Sequence, residues 1–296
     1  MSISIQPPAN TEELVRFIEK VNRKKSSHVG YCGGEKEEIL DTLLNDFSDL
    51  KLEDSFMVAY RDGSIVGAIG FDIDLEEITA EVWGPFVDEG EGWKDLAGSL
   101  WERSLVMLGK YEIKSVSFFL NQLNKNSIHF VSLLNGVHQG DHLILKAGKE
   151  TIPKDGYCSG VSPYTPEHKA AFLTLHKESF PDTYYRGEEI LDKLNNENQL
   201  LTAHGENGEF TGYVYLEASP QHGEGTIEYI AVSLTHRKKG VGVGLVKAAL
   251  KRLFEIANIN EISLCVSKEN TKAINLYTSA GFVTEHELVY YQVQLK

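Results

Sequence analysis

The sequence predicts an α/β fold with a mixed (α+β) sheet: two tandem domains, each a mixed, mostly antiparallel twisted sheet flanked by helices. Three observations predict it. The chain has 296 residues, which suits two domains of ordinary size. Short apolar strands alternate with amphipathic helices in both halves. The order of elements returns after about 145 residues, which aligns Val87 with Val232 and Gly136 with Gly281.

A polar run at 148–156, rich in Gly, Pro and charge, predicts the boundary between domains at 1–150 and 157–296. Thr165-Pro166-Glu167 is a typical helix start in the second domain. After it we predict helices at 188–194, 240–257 and 271–279, and strands at 199–203, 212–217, 226–233, 261–266 and 288–295. The first domain is predicted to repeat this order, with helices at 12–21, 37–44, 93–108 and 127–134 and strands at 56–60, 65–71, 78–87, 115–120 and 142–146.

Net charge, cysteine content and the length of apolar stretches limit the kinds of partner and compartment that we expect. The formal charge of −14 disfavours nucleic acid and would attract a cationic amine, although acidity is also common in ordinary soluble proteins. The three scattered cysteines fit a reducing cytoplasm, and no metal site is predicted from their spacing. No signal peptide is visible, and no apolar stretch approaches the ~18 residues of a membrane span. We therefore expect a cytoplasmic protein without a membrane partner.

The strongest local signal is an apolar strand that leads into a glycine-rich turn. The strand ends in Ile230, Ala231 and Val232, and the run Arg237-Lys238-Lys239-Gly240-Val241-Gly242-Val243 follows. Each glycine weakens a helix by about 1 kcal/mol, and basic residues at a helix N-terminus oppose the macrodipole. Both features are explained if free N–H groups of the first turn and the basic side chains bind an anion.

The spacing argues against two common phosphate sites. A Walker loop needs Gly-x-x-x-x-Gly-Lys-Ser/Thr, which is absent. A dinucleotide fingerprint, Gly-x-Gly-x-x-Gly, would begin at Gly240, but Leu245 stands in place of its last glycine. The turn also follows three strands, whereas a dinucleotide fold usually carries it after the first.

The turn and its surroundings resemble the Gcn5-related N-acetyltransferase (GNAT) family. The family signature Gln/Arg-x-x-Gly-x-Gly/Ala is matched by Arg237, Gly240 and Gly242. The family then places a strand, an Asn, and a helix that ends in a Tyr shortly before Gly-Phe, and the run 266–282 supplies all of these. The resemblance covers residues 157–296 and implies that this domain is the catalytic one.

The resemblance also implies acetyl-coenzyme A as cosubstrate and assigns residues to it. Its pyrophosphate would lie on the turn formed by Arg237, Lys238, Lys239, Gly240, Val241, Gly242 and Val243. Its pantetheine arm would pair with Ile230, Ala231 and Val232 and contact Asn270. Tyr277 would donate a proton to the departing sulfur, and a buried aromatic under the sheet is the alternative interpretation.

A base for the amine is less clearly indicated. Glu228 has the side-chain parity of Ile230 and Val232, and could accept a proton directly or through water. An ordinary solvent-facing glutamate is an equally good interpretation. Glu224 is a weaker alternative, and some related enzymes use a water chain without a single base.

The loop at 180–186 is the region where the resemblance places contacts to the acceptor. Tyr184, Tyr185 and Arg186 are therefore candidate acceptor-binding residues. A loop that only packs the domain is the alternative interpretation.

The first domain departs from the coenzyme motif. The shift of about 145 residues places Gly92, Asp95 and Ala97 at the three signature positions, and Ser132 at that of Tyr277. The loop at 88–95 is acidic, and Coulomb repulsion would oppose a pyrophosphate there. We predict a degenerate copy that lacks the coenzyme site.

These observations lead to one main prediction and two alternatives. The main prediction is an N-acetyltransferase that moves an acetyl group from acetyl-coenzyme A to a primary amine of a small molecule or peptide by direct attack, with Tyr277 as general acid. The alternatives are an acyl-coenzyme A-binding regulatory module without turnover, and a nucleotide-binding oxidoreductase, against which Leu245 argues. The acceptor is not specified, and the internal repeat favours a monomer.

Overall fold

The computed structural model describes residues 3–88, 92–151, 160–181 and 183–295. The chain forms two compact units. Unit 1 is Met1–His142 together with His286–Lys296, and unit 2 is Leu143–Glu285. Within the described ranges, no helix combines the length and the apolar composition needed to cross a membrane.

Unit 1 is a sheet with helices packed on it. It starts with β1 (Ile3–Gln6), α1 (Thr11–Asn22), α2 (Lys36–Asn45) and α3 (Leu52–Ser55). It continues with β2 (Phe56–Arg61), β3 (Ser64–Asp74), β4 (Thr79–Val87), α4 (Trp93–Leu108), β5 (Ser115–Asn121), α5 (Lys125–Leu133) and the start of β6 (Val137–Gly148). The last strand of the chain, β12 (Val283–Gln294), completes the order β1-β2-β3-β4-β5-β12.

The helices of unit 1 form where the sequence supplies a cap and one apolar face. Asn10 precedes α1, and its side chain accepts a hydrogen bond from the N–H of Glu13 at 3.2 Å. Leu14 and Ile18, one turn apart on α1, are fully buried, and the helix packs against β3 and β4. The long helix α4 connects β4 to β5, which is why these two strands run parallel.

Unit 2 has the same plan. After the end of β6 come β7 (Val161–Pro163), α6 (Lys169–Ser179), α7 (Gly187–Lys193), β8 (Gln199–His204), β9 (Phe210–Ser219), β10 (Glu224–Val232), α8 (Val241–Glu255), β11 (Glu261–Ser267) and α9 (Thr271–Ser279). The strand order is β6-β11-β10-β9-β8-β7. One face of the sheet packs with α8 and α9 around Leu250 and Ile262, and the other packs with α6 and α7 around Phe172 and Tyr213.

The structure confirms the predicted fold class and shows three short elements that the sequence pattern did not indicate. These are β1, α3 and β7, of four, four and three residues, too short for a periodic signal. Strands predicted at 142–146 and 288–295 are longer, spanning Val137–Gly148 and Val283–Gln294. The repeat is visible in β4 and β10, which have nine residues each and occupy equivalent places.

The compact units differ from a simple division of the sequence into halves. β12 pairs with β5 from Leu288 to Gln294, and its Val293 lies in the core of unit 1. Leu143 and Leu145 of β6 lie in the core of unit 2. An apolar strand pattern indicates that a strand is buried but not which neighbour it pairs with. The order of elements along the chain therefore does not reveal this exchange, in which β12 contributes to unit 1 and the end of β6 to unit 2. Most of the predicted boundary loop, from 152 to 156, lies outside the described residues.

Candidate active site

A gap between two strands of unit 2 is the first element of the site. β10 and β11 pair in parallel only from Glu224 to Thr226, although β10 continues to Val232 and β11 to Ser267. β10 stays paired with β9 as far as Val232. The strands therefore diverge, and the edge of β10 that includes Ile230 and Ala231 faces the gap. Such an edge presents N–H and C=O groups to an extended ligand.

The glycine-rich turn lies directly after β10. Gly240 is the N-cap of α8 and has φ +86°, in the left-handed region that favours glycine. A Cβ at Gly240 would meet no atom of the described chain within 4 Å, so the space in front of it is open. No side chain caps α8, and its first turn has no acidic residue. The N–H groups of Val241, Gly242 and Val243 could therefore hold an anion such as a pyrophosphate.

The basic residues of the turn divide between two roles. Lys238 and Lys239 are exposed, and neither forms an ion pair with a described carboxylate. Their charges are therefore available to an anion on α8. The Nε of Arg237 instead donates a hydrogen bond to the main-chain oxygen of Val232 at 3.0 Å. Arg237 thus ties the turn to the end of β10 and keeps its charge beside the helix N-terminus.

The helix α9 carries the two other residues that the resemblance singled out. The Oδ1 of Asn270 accepts a hydrogen bond from the N–H of Ala273 at 3.2 Å, which caps α9. Tyr277 is 6% exposed, and its ring lies edge-on to Phe282 with centroids 5.7 Å apart. Burial raises the pKa of Tyr277 to about 12, so its hydroxyl keeps its proton at neutral pH and can donate it. The cap alone accounts for an Asn at 270, and its contact with pantetheine stays a prediction.

A β-bulge at Glu228 shifts the alternation of side chains along β10. Ile227 pairs with Leu216 and Tyr229 with Tyr215, so Glu228 is an extra residue without an opposite partner on β9. The parity deduced from simple alternation is therefore wrong: the side chains of Ile230 and Val232 pack on the α8 and α9 face. Glu228 belongs to the other face, where its charge acts on Glu217, Tyr215 and Cys265.

Two carboxylates lie together on this second face. Burial, and then the charge of Glu217, raise the pKa of Glu228 to about 7. The Glu228 side chain is nevertheless exposed, so its carboxyl is crowded by protein but accessible to solvent. The hydroxyl of Tyr215 donates a hydrogen bond to Oε1 of Glu217 at 2.8 Å. Burial, and then the charge of Glu228, raise the pKa of the Cys265 thiol to about 11, so this thiol is a poor nucleophile at neutral pH.

The loop between α6 and α7 is anchored to the same face. The hydroxyl of Tyr229 accepts hydrogen bonds from Oγ1 of Thr183 at 2.7 Å and from the N–H of Tyr185 at 3.2 Å. The Nε2 of His176 lies 2.8 Å from the main-chain oxygen of Tyr185. Burial, and then the charge of Glu217, raise the pKa of Tyr185, and the charge of Glu228 raises it further.

The other two candidates of this loop are exposed, and the ring of Tyr184 lies 4.7 Å from that of Tyr185. Tyr184 is 86% exposed. The main-chain N–H and the guanidinium of Arg186 both bond to Glu189 at the start of α7, at 2.6 and 3.1 Å. Of the three candidates, Tyr185 is the one whose pKa is raised by the charges of Glu217 and Glu228. Asp182 of this loop lies outside the described residues.

The sequence contained a signal for further residues of this face that we did not use. Tyr213, Tyr215 and Glu217 alternate along β9, as expected for polar groups on one face of a buried strand. Tyr229 and His176 gave no such signal, because the contacts that give them a role come from distant segments. In the described ranges, no group of three or more His, Cys, Asp or Glu residues is arranged to hold a metal ion.

In unit 1, the loop that corresponds to the glycine-rich turn is only partly described. Residues 89–91 of its acidic loop lie outside the described ranges. The helix that follows, α4, has Asp95 in its first turn, where α8 has no acidic residue. A carboxylate there would occupy and repel the position of a phosphate.

Comparison with known proteins relates the second half of the chain to one family. Residues 169–282 match the model of the acetyltransferase (GNAT) family. The chain is 31% identical over 115 residues to the N-terminal acetyltransferase A complex catalytic subunit NAA10 of Arabidopsis thaliana, over 38% of this chain and 60% of that protein. It is 42% identical over 60 residues to the spermidine N(1)-acetyltransferase of Vibrio cholerae, over 20% of this chain and 35% of that protein. The chain thus spans less than two thirds of the length of these relatives.

Solved structures extend the likeness to the whole chain. A GCN5-related N-acetyltransferase from Sphaerobacter thermophilus superposes with a TM-score of 0.76 at 16% identity, over 99% of this chain and 95% of that one. A tandem GNAT protein from the clavulanic acid biosynthesis pathway superposes with a TM-score of 0.67 at 14% identity, over 99% and 98%. At such identities the likeness concerns the fold alone, and it confirms the prediction of two tandem GNAT-like domains.

Proposed function

Because residues 169–282 match the model of the acetyltransferase (GNAT) family, we propose that this protein is an N-acetyltransferase. It transfers the acetyl group of acetyl-coenzyme A to a primary amine. The observation that carries the proposal is the junction of an open strand edge, Ile230 to Val232, with an uncapped and positively flanked helix N-terminus at Gly240. One end suits a pantetheine arm and the other a pyrophosphate.

The residues of unit 2 that would hold the coenzyme follow from this geometry. The N–H groups of Val241, Gly242 and Val243 would bind the pyrophosphate, and Lys238 and Lys239 would neutralise part of its charge. The main chain of Ile230, Ala231 and Val232 would pair with the amide groups of pantetheine. When bound, the coenzyme supplies an activated thioester carbonyl.

Two side chains are proposed to move protons. Glu228, with a pKa of about 7, accepts a proton from the ammonium form of the acceptor, which an amine must lose before it attacks. Tyr277 keeps its proton at neutral pH and donates it to the sulfur that leaves. Each group has the protonation state that its role requires.

The acceptor is proposed to be a small amine or a peptide amine. Glu217 and Glu228 would attract a cationic group to the face that carries Tyr185. The relatives named above, a spermidine acetyltransferase and an N-terminal acetyltransferase subunit, fall in these two classes. We propose that the protein works as a monomer in the cytoplasm, where Cys32 and Cys265 would remain free thiols.

A screen of amines tests the proposal. The purified chain is incubated with acetyl-coenzyme A and a panel of diamines, amino sugars and short peptides, and the released thiol is measured. We expect release to depend on both the amine and the chain. Coenzyme binding without thiol release on any amine would favour the acyl-coenzyme A-binding regulatory module. Absence of coenzyme binding would remove the proposal.

A further inference from the structure

Unit 1 contains the same divergence of two parallel strands that forms the gap in unit 2. β4 and β5 pair only from Thr79 to Glu81, opposite Ser115 to Ser117. β4 continues to Val87 and β5 to Asn121. A gap therefore opens beyond Ser117, at the place that corresponds to the proposed pantetheine site.

A segment of the chain itself lies against β5 in unit 1. The loop between α1 and α2 brings Val29 into an antiparallel bridge with Leu120. The N–H of Gly30 donates to the oxygen of Phe119 at 2.6 Å, and the N–H of Asn121 donates to the oxygen of His28 at 3.1 Å. We call residues 28–30 the inserted segment.

The directions of the main-chain groups show which side of β5 the inserted segment occupies. Along a strand, successive residues direct their N–H and C=O groups to opposite neighbours. β12 pairs with β5 from Ser115 to Asn121, and just beyond it the N–H of Gln122 bonds to the oxygen of Glu287 on that side. The even residues of β5 thus face β12, and Phe119 and Asn121 face β4. The inserted segment therefore lies in the gap between β4 and β5.

Buried contacts hold the inserted segment in place. Asn22 is 1% exposed, and its Oδ1 accepts a hydrogen bond from the N–H of Val29 at 2.7 Å. Its Nδ2 donates to the oxygens of Cys32 and Gly33, both at 3.2 Å. Val29 is fully buried. A Cβ on Gly30 would lie 2.5 Å from Cδ1 of Leu288, so the close approach needs a glycine.

In the part of unit 2 that the structure describes, no such segment lies at the corresponding place. Asn121 and Ser267 are equivalent, because each oxygen accepts a hydrogen bond from the N–H of the Asn that caps the next helix, Asn124 or Asn270. Among the described residues of unit 2, no loop forms a main-chain hydrogen bond to the N–H of Ser267. The loop between α6 and α7 has seven residues, 180–186, whereas that between α1 and α2 has thirteen, 23–35. The extra length is what reaches the gap.

We propose that residues 28–30 act as an internal strand that fills the coenzyme gap of unit 1, so that each chain binds one acyl-coenzyme A, in unit 2. The inserted segment uses the main-chain groups of β5 that line the gap and occupies the space that an extended pantetheine arm would need. The closure of unit 1 rests on contacts within that unit alone. The count of one coenzyme also rests on the proposed function of unit 2.

Amide hydrogen exchange on the full chain tests the closure without any variant. Without coenzyme, we expect the amide of Asn121 to exchange at least roughly a hundredfold more slowly than the equivalent amide of Ser267. Adding coenzyme A is expected to slow Ser267 and leave Asn121 unchanged. An Asn121 amide that exchanges as fast as Ser267, or that responds to coenzyme, would overturn the proposal. If Asn121 is protected and Ser267 ignores coenzyme, unit 1 is closed and the proposed coenzyme site of unit 2 is lost.

Two matched glycine variants and a binding titration complete the test. Gly30→Ala introduces the Cβ that meets Leu288, whereas nothing lies within 4 Å of a Cβ at Gly34 in the same loop. Exchange at Asn121 is expected to accelerate about tenfold or more in Gly30→Ala and to stay unchanged in Gly34→Ala. Equal behaviour of the two variants would contradict the insertion. Calorimetric titration with coenzyme A is expected to give one site per chain, and two sites would refute the closure.

Discussion

At the scale of single residues, one extra residue in β10 decides what Glu228 can do. The bulge breaks the alternation between Glu228 and Ile230, so the carboxyl belongs to the face that carries Glu217, while the β11 side of Ile230 and Ala231 stays unpaired. The proposed proton acceptor for the amine therefore lies on one face of the sheet. The strand edge proposed to bind the thioester arm lies in the plane of the sheet. Ile227 and Ile230, three residues apart, both pack under α8, which regular alternation would not allow.

Replacing Glu228 with glutamine tests its role as base. Because the pKa of Glu228 is about 7, we expect kcat/KM of the wild type to rise with pH through about 7, and this rise to disappear in Glu228→Gln. The raised pKa also affects stability. Between the ordinary pKa of 4.5 and about 7 the unfolded chain loses the proton first, so the wild type loses stability as pH rises through this window.

Glu228→Gln should therefore remove this pH-dependent loss of stability. The melting temperature of the variant, relative to that of the wild type, should be higher at pH 8 than at pH 5. Glu224→Gln, on the same strand, is the matched control. A variant that keeps the pH-dependent rise in kcat/KM would show that Glu228 is not the base. Identical melting temperatures for variant and wild type at both pH values would contradict the raised pKa.

Replacing Tyr277 with phenylalanine tests its role as acid. The ring and its packing on Phe282 are kept, and only the hydroxyl is lost. Because general acid catalysis contributes about a hundredfold or more, we expect kcat to fall by that factor with the Kd of coenzyme A unchanged. Melting temperature serves as the check on folding. An unaltered kcat would leave Tyr277 a packing residue.

At the scale of elements, the start of α8 combines a left-handed glycine with an uncapped first turn. The sequence revealed this element because its signals are local: glycines, basic residues and the preceding apolar strand adjoin one another. It did not reveal the bulge at Glu228 or the hydroxyl of Tyr229 that anchors Tyr185. The bulge depends on how β10 pairs with β9. The contact of Tyr229 with Tyr185 joins residues that are 44 positions apart in the sequence. No local pattern encodes either feature.

An aspartate at Gly242 would separate helix stability from anion binding. A carboxylate in the first turn stabilises a helix by about 0.3–1 kcal/mol, so the melting temperature should not fall. The same charge repels a pyrophosphate, and we expect the Kd of coenzyme A to increase by about tenfold or more. Gly242→Asn is the uncharged control, with its Cβ at the same 3.3 Å from Leu276. Equal Kd values for the two variants would argue against an anion site here.

The loop between α6 and α7 gives a second prediction at this scale. Tyr229→Phe removes the acceptor of the hydrogen bonds from Thr183 and Tyr185, each worth about 1 kcal/mol. We expect the KM for the amine to rise several-fold while the Kd of coenzyme A stays the same. Tyr184→Phe, on a side chain that is 86% exposed, is the control. A change in coenzyme affinity alone would indicate that the loop does not serve the acceptor.

At the scale of the whole molecule, order along the chain and membership of a compact unit are different properties. The sequence repeat predicts two similar units, and the structure has them. It cannot indicate that β6 passes from unit 1 to unit 2 at Leu143 or that β12 passes from unit 2 to unit 1 at His286, since an apolar strand pattern does not specify the neighbour with which a strand pairs.

This exchange predicts how fragments of the chain will fold. A fragment of residues 157–296, the domain expected from sequence order, lacks Leu143 and Leu145 from the core of unit 2 and carries β12 without its partner β5. A fragment of residues 143–285 keeps its core and loses the unpaired strand. We expect the 157–296 fragment to aggregate or to melt without cooperativity, because a strand with unsatisfied main-chain groups and exposed apolar side chains favours association.

The 143–285 fragment should melt in one transition and bind coenzyme A. Circular dichroism melts and calorimetry compare the two, and a 157–296 fragment that is the more stable would show that the compact units do not fold as the contacts divide them.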